Sequence, residues 1–338
     1  MIKKKILIVG GCGFIGHNLA LKLKKSKHEI KIVDNLGVNN LNSVKDKKIE
    51  NSFLYTSILK ERIRLINENS IELKIEDSKV NEKIQKIFFE FNPDIIIHLA
   101  AVSHANKSNI DPDFTFENSV VTLKNSLEGA RLNNSHIIFL SSSMVYGEFP
   151  KDGVDEETQC KPLGIYGNLK YASELIIKAY AQVFGVNYTI IRPSALYGER
   201  CVSRRVGQIF IENAIQNKEI VINGDGEDKL DFTYIEDLVE GIEICCNNKN
   251  ALNETFNLTY GNSRKINDLL KLIRNEFPEV KTNYMNREKF MPKRGTLFNH
   301  KAKKLLNFEP KFSIDEGYIK YVNWYKNFWK SIKETHNG

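Results

Sequence analysis

Tyr166 and Lys170 stand four residues apart in the run Tyr166-Gly167-Asn168-Leu169-Lys170, at the head of a stretch whose apolar spacing predicts a helix over Tyr171–Phe184. Side chains four apart share one face of a helix. A lysine cation beside a phenol favours the tyrosinate and draws its pKa down from about 10 toward the working range. A tyrosine so tuned takes a proton from a substrate hydroxyl. The spacing alone is common on helix surfaces, so the chemistry depends on what converges with it. Ser141-Ser142-Ser143 closes the apolar run from His136, and hydroxyls at the end of a buried strand emerge at the carboxyl edge of a sheet. Ala100-Ala101, at the end of another apolar run, offers a small-residue surface on which a flat ligand can lie.

The ligand that suits this edge is read from the first forty residues. Gly10-Gly11-Cys12-Gly13-Phe14-Ile15-Gly16 follows the apolar run Ile6–Val9 and opens a helical pattern. Small residues there make the tight turn and let the backbone approach a pyrophosphate, while the helix N-terminus presents its positive end. Asp34 ends the second apolar run, eighteen residues past Gly16. Its carboxylate can accept both ribose hydroxyls and would repel a 2′-phosphate. The segment Asn35 to Asn39 holds no basic residue, so NAD is expected rather than NADP. Oxidised nicotinamide carries a positive charge of its own, a second influence toward tyrosinate, and it accepts hydride from the carbon whose hydroxyl Tyr166 deprotonates.

Elements must hold these groups at one edge. Apolar runs at Ile6–Val9, Ile30–Val33, Ile71–Ile75, Asp94–Ala100, His136–Ser141 and Tyr188–Arg192 alternate with helical patterns at Asn18–Ser26, Lys79–Phe91, Asn118–Asn133 and Tyr171–Phe184. Strands alternating with helices imply a parallel sheet, and continuous apolar strands are covered on both faces. The expected fold is α/β, a Rossmann-type doubly wound sheet with a smaller, discontinuous C-terminal substrate lobe. The pattern changes after Arg192, with a polar stretch at Gly198–Gly207, a turn at Gly224-Asp225-Gly226 and another at Pro292–Gly295. Phe232–Cys246 reads as a strand and helix returning to the main sheet. The dinucleotide domain is therefore expected at 1–192 with 228–250, and the lobe at 193–227 with 251–330.

Composition excludes other classes. Over 338 residues, 41% hydrophobic and 27% charged content is that of a globular chain. The net charge of +7 comes from 49 basic residues interleaved with 42 acidic ones, without the clustered stripe that nucleic-acid binding demands. A mild positive bias equally suits a diphosphate ligand. The five cysteines show no metal-ligand spacing and are expected as reduced thiols, and no metal is expected. The apolar run after the opening lysines is too short for a signal peptide or a membrane span, so a soluble cytoplasmic protein is expected.

Taken together, the ordered motifs resemble the extended short-chain dehydrogenase/reductase family, in its NAD-dependent sugar-nucleotide epimerase/dehydratase branch. The resemblance rests on the glycine run, Asp34-Asn35, His98-Leu99-Ala100-Ala101, Asn118, the run from Ser141 to Gly147, Tyr166 to Lys170, Arg192 to Gly198, Gly224 to Phe232 and Lys293 to Leu297. It implies that Gly10, Gly13 and Gly16, with Phe14 and Ile15, hold the pyrophosphate, and that Asp34 and Asn35 lie at the ribose. It places Asp77 and Ser78 at the adenine, Leu99, Ala100, Ala101 and Asn118 along the dinucleotide, and Tyr166 with Lys170 at the nicotinamide ribose and the reacting hydroxyl. Ser142, counted back from Val145-Tyr146-Gly147, matches the catalytic Ser/Thr that bonds the reacting hydroxyl, and His98 is framework. Ser103, Ser143 and Met144 are candidates for the sugar, and Arg200, Arg204, Arg205, Lys293 and Arg294 for a substrate diphosphate. Family dehydratases carry a glutamate where this chain has Met144, and methionine cannot act as a base. The family's frequent arginine before Asp231-Phe232 is Leu230. The resemblance thus implies a nucleotide-sugar 4-epimerase, with net dehydrogenation or reduction at C4 as the alternative. It also implies a homodimer through Asn118–Asn133 and Tyr171–Phe184.

Overall fold

The computed structural model describes residues 2–44, 50–102, 105–150, 153–287 and 292–337. Ser103 lies outside them. In chain order the first half runs β1 (Lys5–Val9), α1 (Phe14–Lys25), β2 (Glu29–Asp34), α2 (Ser52–Glu68), β3 (Glu72–Ile75), α3 (Asn81–Phe91) and β4 (Ile95–His98). Short helices α4 (Ala105–Ile110) and α5 (Pro112–Phe116) lead through a wider turn, Glu117–Val121, into α6 (Thr122–Asn133), β5 (His136–Leu140), β6 (Gly153–Val154), α7 (Gly164–Phe184) and β7 (Tyr188–Arg192). The remainder comprises β8 (Ala195–Tyr197), α8 (Val206–Ile215), β9 (Ile220–Asn223), β10 (Lys229–Leu230), β11 (Phe232–Tyr234), α9 (Ile235–Asn247) and β12 (Glu254–Asn257). Then follow β13 (Arg264–Lys265), α10 (Ile266–Glu276), β14 (Thr282–Met285), β15 (Thr296–Leu297), α11 (His300–Leu306) and α12 (Ile314–Asn337).

Seven strands form one parallel sheet in the order β12-β7-β5-β4-β1-β2-β3. Alternation along each strand explains why these runs are apolar throughout. On β1, Ile6 and Ile8 pack into a core that includes α1, α2 and α9, whereas Leu7 and Val9 face a second core with α3 and α6. The split recurs at Ile138 against Ile137 and at Ile191 against Ile190. Both faces are covered, as a doubly wound sheet requires. The first core continues beyond the sheet through Tyr197, Phe210, Ile222 and Tyr234 to Tyr318, Tyr321, Val322 and Tyr325, spaced at helical period along α12.

The structure departs from the sequence reading at definite places. The helix α2 has no counterpart in it. The helix expected from Tyr171 begins at Gly164, so Tyr166 already lies in its first turn. Phe232–Tyr234 does not return to the main sheet. It pairs in parallel with Ala195–Tyr197, and only α9 packs back, against α1. The seventh strand is instead Glu254–Asn257, beside β7 and inside the stretch expected in the lobe.

Candidate active site

A parallel sheet places its functional edge at the strands' carboxyl ends, and its crevice where the strand order reverses. That reversal lies between β1 and β4. A cavity of about 1400 Å³ opens there, between the sheet edge and the C-terminal segments. At its deep end Gly10 adopts φ +83°, and a Cβ there would stand 2.7 Å from the Ala100 backbone nitrogen. The turns after β1 and β4 touch because Gly10 has no side chain. Gly13 is the N-cap of α1 and offers no side-chain cap, so the first-turn amides of Phe14, Ile15 and Gly16 meet the cavity.

Asp34 lines the same end, its Oδ2 accepting from the Cys12 amide at 2.9 Å and its Oδ1 from the Leu36 amide at 2.7 Å. Burial in the cavity wall raises its pKa from the usual carboxylate range, and the two amides work against that shift. Each carboxylate oxygen keeps lone-pair capacity for a ribose hydroxyl. Asn35, Ser78, Leu99, Ala100, Ala101 and Asn118 also line the cavity. Asp77 does not. Its Oδ1 accepts from the Lys79 amide at 2.9 Å, so its carboxylate closes a local turn.

Ser142, Tyr166 and Lys170 all line the cavity. Ser142 Oγ accepts from the Met144 amide at 3.2 Å as N-cap of the short helical turn Ser143–Tyr146, which leaves its hydroxyl hydrogen to donate. Gly167 decides how near α7 comes, because a Cβ there would lie 2.8 Å from the Met144 carbonyl oxygen. Lys170 is buried, its Nζ donating to the Leu140 carbonyl at 2.6 Å and lying 4.7 Å from the Phe139 ring centre. Burial lowers its pKa to about 8, against the opposing influence of Glu174. Ser143 and Met144 complete this wall.

Arg204, Arg205 and Arg294 line the cavity's other end. Arg294 has a buried Nε without a hydrogen-bond partner, and burial, reinforced by Arg205, lowers its pKa to about 10. Arg204 donates to Glu50 at 3.0 Å. Two expected residues lie elsewhere. Lys293 is outside the lining, its amide donating to Glu148 at 3.0 Å. Arg200 has φ +63° and turns away, its Nε donating to His17 Nε2 at 3.1 Å and its guanidinium 6.0 Å from the Trp324 ring centre. Arginine only donates, so His17 is neutral, accepts at Nε2 and donates from Nδ1 to the Gly13 carbonyl at 2.9 Å.

Sequence reasoning missed Arg62 and Arg287. Arg62, on α2, is 1% exposed, lines the cavity and donates to the carbonyls of Cys12 and Arg200. Arg287 follows β14 and pairs with Asp228 at 2.9 Å, both lining the cavity. Neither sits in a motif, and only an apolar stripe along α2 could have signalled the first.

A doubly wound sheet with a glycine cradle at its switch point, and Ser142, Tyr166 and Lys170 gathered in one cavity, defines the extended short-chain dehydrogenase/reductase class. Residues 6–259 match the model of the NAD dependent epimerase/dehydratase family, and the chain belongs to that family. It is 30% identical to a putative UDP-glucose 4-epimerase of Methanocaldococcus jannaschii, over 95% of this chain and 98% of that protein. A UDP-glucuronate 4-epimerase of Thermodesulfobacterium geofontis is 29% identical, over 97% and 98% of the two chains. Among solved structures, UDP-glucuronic acid 4-epimerase from Bacillus cereus, in complex with UDP-glucuronic acid and NAD, superposes with a TM-score of 0.86 at 25% identity, covering 96% of this chain and 99% of that one.

Proposed function

We propose that the chain is an NAD-dependent UDP-sugar 4-epimerase. The observation that carries this reading is that Ser142, Tyr166 and Lys170 line the same cavity as the glycine cradle and Asp34. At about 1400 Å³ the space exceeds the roughly 300–1,000 Å³ of an ordinary ligand pocket and suits a dinucleotide beside a nucleotide sugar. Gly10, Gly13 and Gly16 would hold the pyrophosphate of NAD and Asp34 its adenosine ribose. The chemistry NAD supplies when bound is reversible hydride acceptance at the sugar C4 carbon. Tyr166 takes the C4 hydroxyl proton and later returns it. Lys170 keeps positive charge beside the tyrosinate, and Ser142 donates to the same oxygen as its charge develops. Epimerisation follows when the oxidised sugar turns in the cavity before it is reduced. Met144 leaves this wall without the carboxylate that dehydration would need, and the nearby cavity acid Glu148 is engaged by the Lys293 amide.

The test is incubation with a panel of UDP-sugars, following product NMR and 340 nm absorbance together. Interconversion of C4 epimers without lasting absorbance change, and without solvent deuterium at C4, is expected. Stoichiometric NADH accumulation overturns epimerisation in favour of net oxidation.

Homodimer formation belongs to the same proposal. Leu132 on α6 is 64% exposed, and Leu175, Val183 and Phe184 on α7 are 50%, 68% and 52% exposed, an apolar surface that a second copy would cover. Light scattering at micromolar concentration should return twice the chain mass, and a monomer contradicts it. No helix among the described residues is long and apolar enough to cross a membrane.

A further inference from the structure

Beneath the reacting groups lies a buried polar assembly that the proposed chemistry does not use. Glu174 has no exposed surface, and Arg192 is 3% exposed. Arg192 grips the carboxylate with both edges of its fork, Nε to Oε1 at 3.0 Å and Nη2 to Oε2 at 2.6 Å. Ser141 Oγ donates to the same Oε1. The remaining arm of Arg192 donates to the Tyr146 hydroxyl at 3.0 Å, and that hydroxyl donates to Asn257 Oδ1 at 2.8 Å. One carboxylate thereby ties α7 to the ends of β5 and β7, and through Tyr146 to β12.

The placement is informative. Gly167, Lys170 and Glu174 follow at helical spacing and share a face of α7. Each meets the serine segment in turn: Gly167 closes on the Met144 carbonyl, Lys170 Nζ holds the Leu140 carbonyl, and Glu174 holds the Ser141 hydroxyl. Consecutive residues at the end of β5 are gripped by consecutive turns of α7, and the next residue is Ser142. Apolar residues of similar volume would serve stability as well as a buried ion pair does, so stability alone does not explain this one. What a bidentate carboxylate supplies is direction.

We infer that Glu174 is a positioning residue for the reaction: through Ser141 and Arg192 it fixes the register of the Lys170 turn of α7 against Ser142. The inference rests on the reading of Ser142, Tyr166 and Lys170 as the reacting set. Its second effect is electrostatic. Lys170 faces Tyr166 and Glu174 on its own helix, neutral His98 on β4, the Phe139 ring on β5, and Arg192 on β7 behind Glu174. Glu174 is the carboxylate that favours its charged form.

The gentlest variant is Ser141→Ala, which breaks the link to β5 and leaves the ion pair intact. Its kcat should fall about tenfold while KM for the nucleotide sugar changes less than about threefold, the signature of an interaction made in the transition state. Ser141→Thr, which restores the hydroxyl, should recover most of that loss at an unchanged Tm. Glu174→Gln keeps the shape and removes the charge. The alkaline limb of its kcat profile, and the pH dependence of NAD binding read by calorimetry without sugar, should both move to lower pH. Wild-type kcat in Ser141→Ala, a loss that Ser141→Thr does not rescue, or an unmoved alkaline limb in a folded Glu174→Gln each overturns the positioning role. Those outcomes leave the epimerase reading standing if Tyr166→Phe is inactive. Full activity in Tyr166→Phe overturns the reading itself.

Discussion

The two ends of the cavity are built on different principles. The end proposed for the cofactor is lined by backbone amides at the head of α1, a glycine at φ +83° and one carboxylate held by two amides. The end proposed for the substrate is lined by long cations, Arg204, Arg205, Arg287 and Arg294, carried on turns and strand ends from distant parts of the chain. A backbone site admits only residue types that its geometry tolerates, so it leaves a mark in the sequence. A site of arginines can be assembled from many positions and leaves almost none. The first end should therefore respond to small steric changes, and the second to loss of individual charges.

The largest expected effect falls where the two ends meet. Tyr166→Phe removes only the proton-transferring hydroxyl, so turnover should drop by roughly two orders of magnitude or more, while calorimetry returns a near wild-type NAD affinity. A comparable loss of NAD affinity would place Tyr166 at the cofactor end rather than between the two.

Gly10→Ala tests the backbone end. The substitution forces an L side chain to φ +83° and drives its Cβ against the Ala100 nitrogen, so a penalty of roughly 1–3 kcal/mol is expected, lost chiefly as NAD affinity. Unchanged affinity by calorimetry would mean that the cradle does not bind the cofactor. Arg294→Met tests the other end. Its partly unpaired guanidinium is the cation best disposed toward an anionic ligand, and KM for the nucleotide sugar should rise about tenfold. Arg204→Met should change KM less than about threefold, because that arginine is paired with exposed Glu50. Equal effects of the two would erase the distinction between a built anion site and surface charge.

A further effect is on stability. The folded pKa of Lys170, about 8, lies below the ordinary 10.5, so the unfolded chain binds more protons between those values. Wild-type stability should rise with pH across that window, and the burial penalty is fully present below pH 8. Lys170→Met should be more stable than wild type at pH 7, by about 3 kcal/mol at most before its lost contact with Leu140 is counted. That margin should shrink from pH 8 to 10.5 in urea titrations. A margin independent of pH would show that the lysine's charge is not what burial opposes.

Six strands and four helices were legible because their apolar runs are continuous or regularly spaced. Ser142, Tyr166 and Lys170 were legible because strand end and helix start carry them in recognisable order. The helix α2 was not, since its buried Leu54, Ile58, Leu59 and Ile66 alternate with lysines, glutamates and arginines after a polar stretch. β12 was not, because Glu254-Thr255-Phe256-Asn257 is short and mostly polar, and only its pairing with β7 makes it a sheet strand. Arg200 looked like a cavity cation beside Arg204 and Arg205. Its guanidinium instead reaches His17 and the Trp324 ring, and no residue type announces that choice.

The place of Asn257 at the end of the polar chain beneath the site carries a consequence for synthesis. A ribosome adds residues from the N-terminus, and β12 is the last strand of the main sheet to emerge. By then the glycine cradle, Ser142, Tyr166 and Lys170 have long been made. Until β12 docks beside β7, Arg192 and Tyr146 lie at an open sheet edge, and their chain of donors has no terminal acceptor in Asn257. A nascent chain can therefore carry every reacting group before it owns the platform beneath them; β12 closes that platform, and Arg287 and Arg294 of the cavity wall follow only later in the chain.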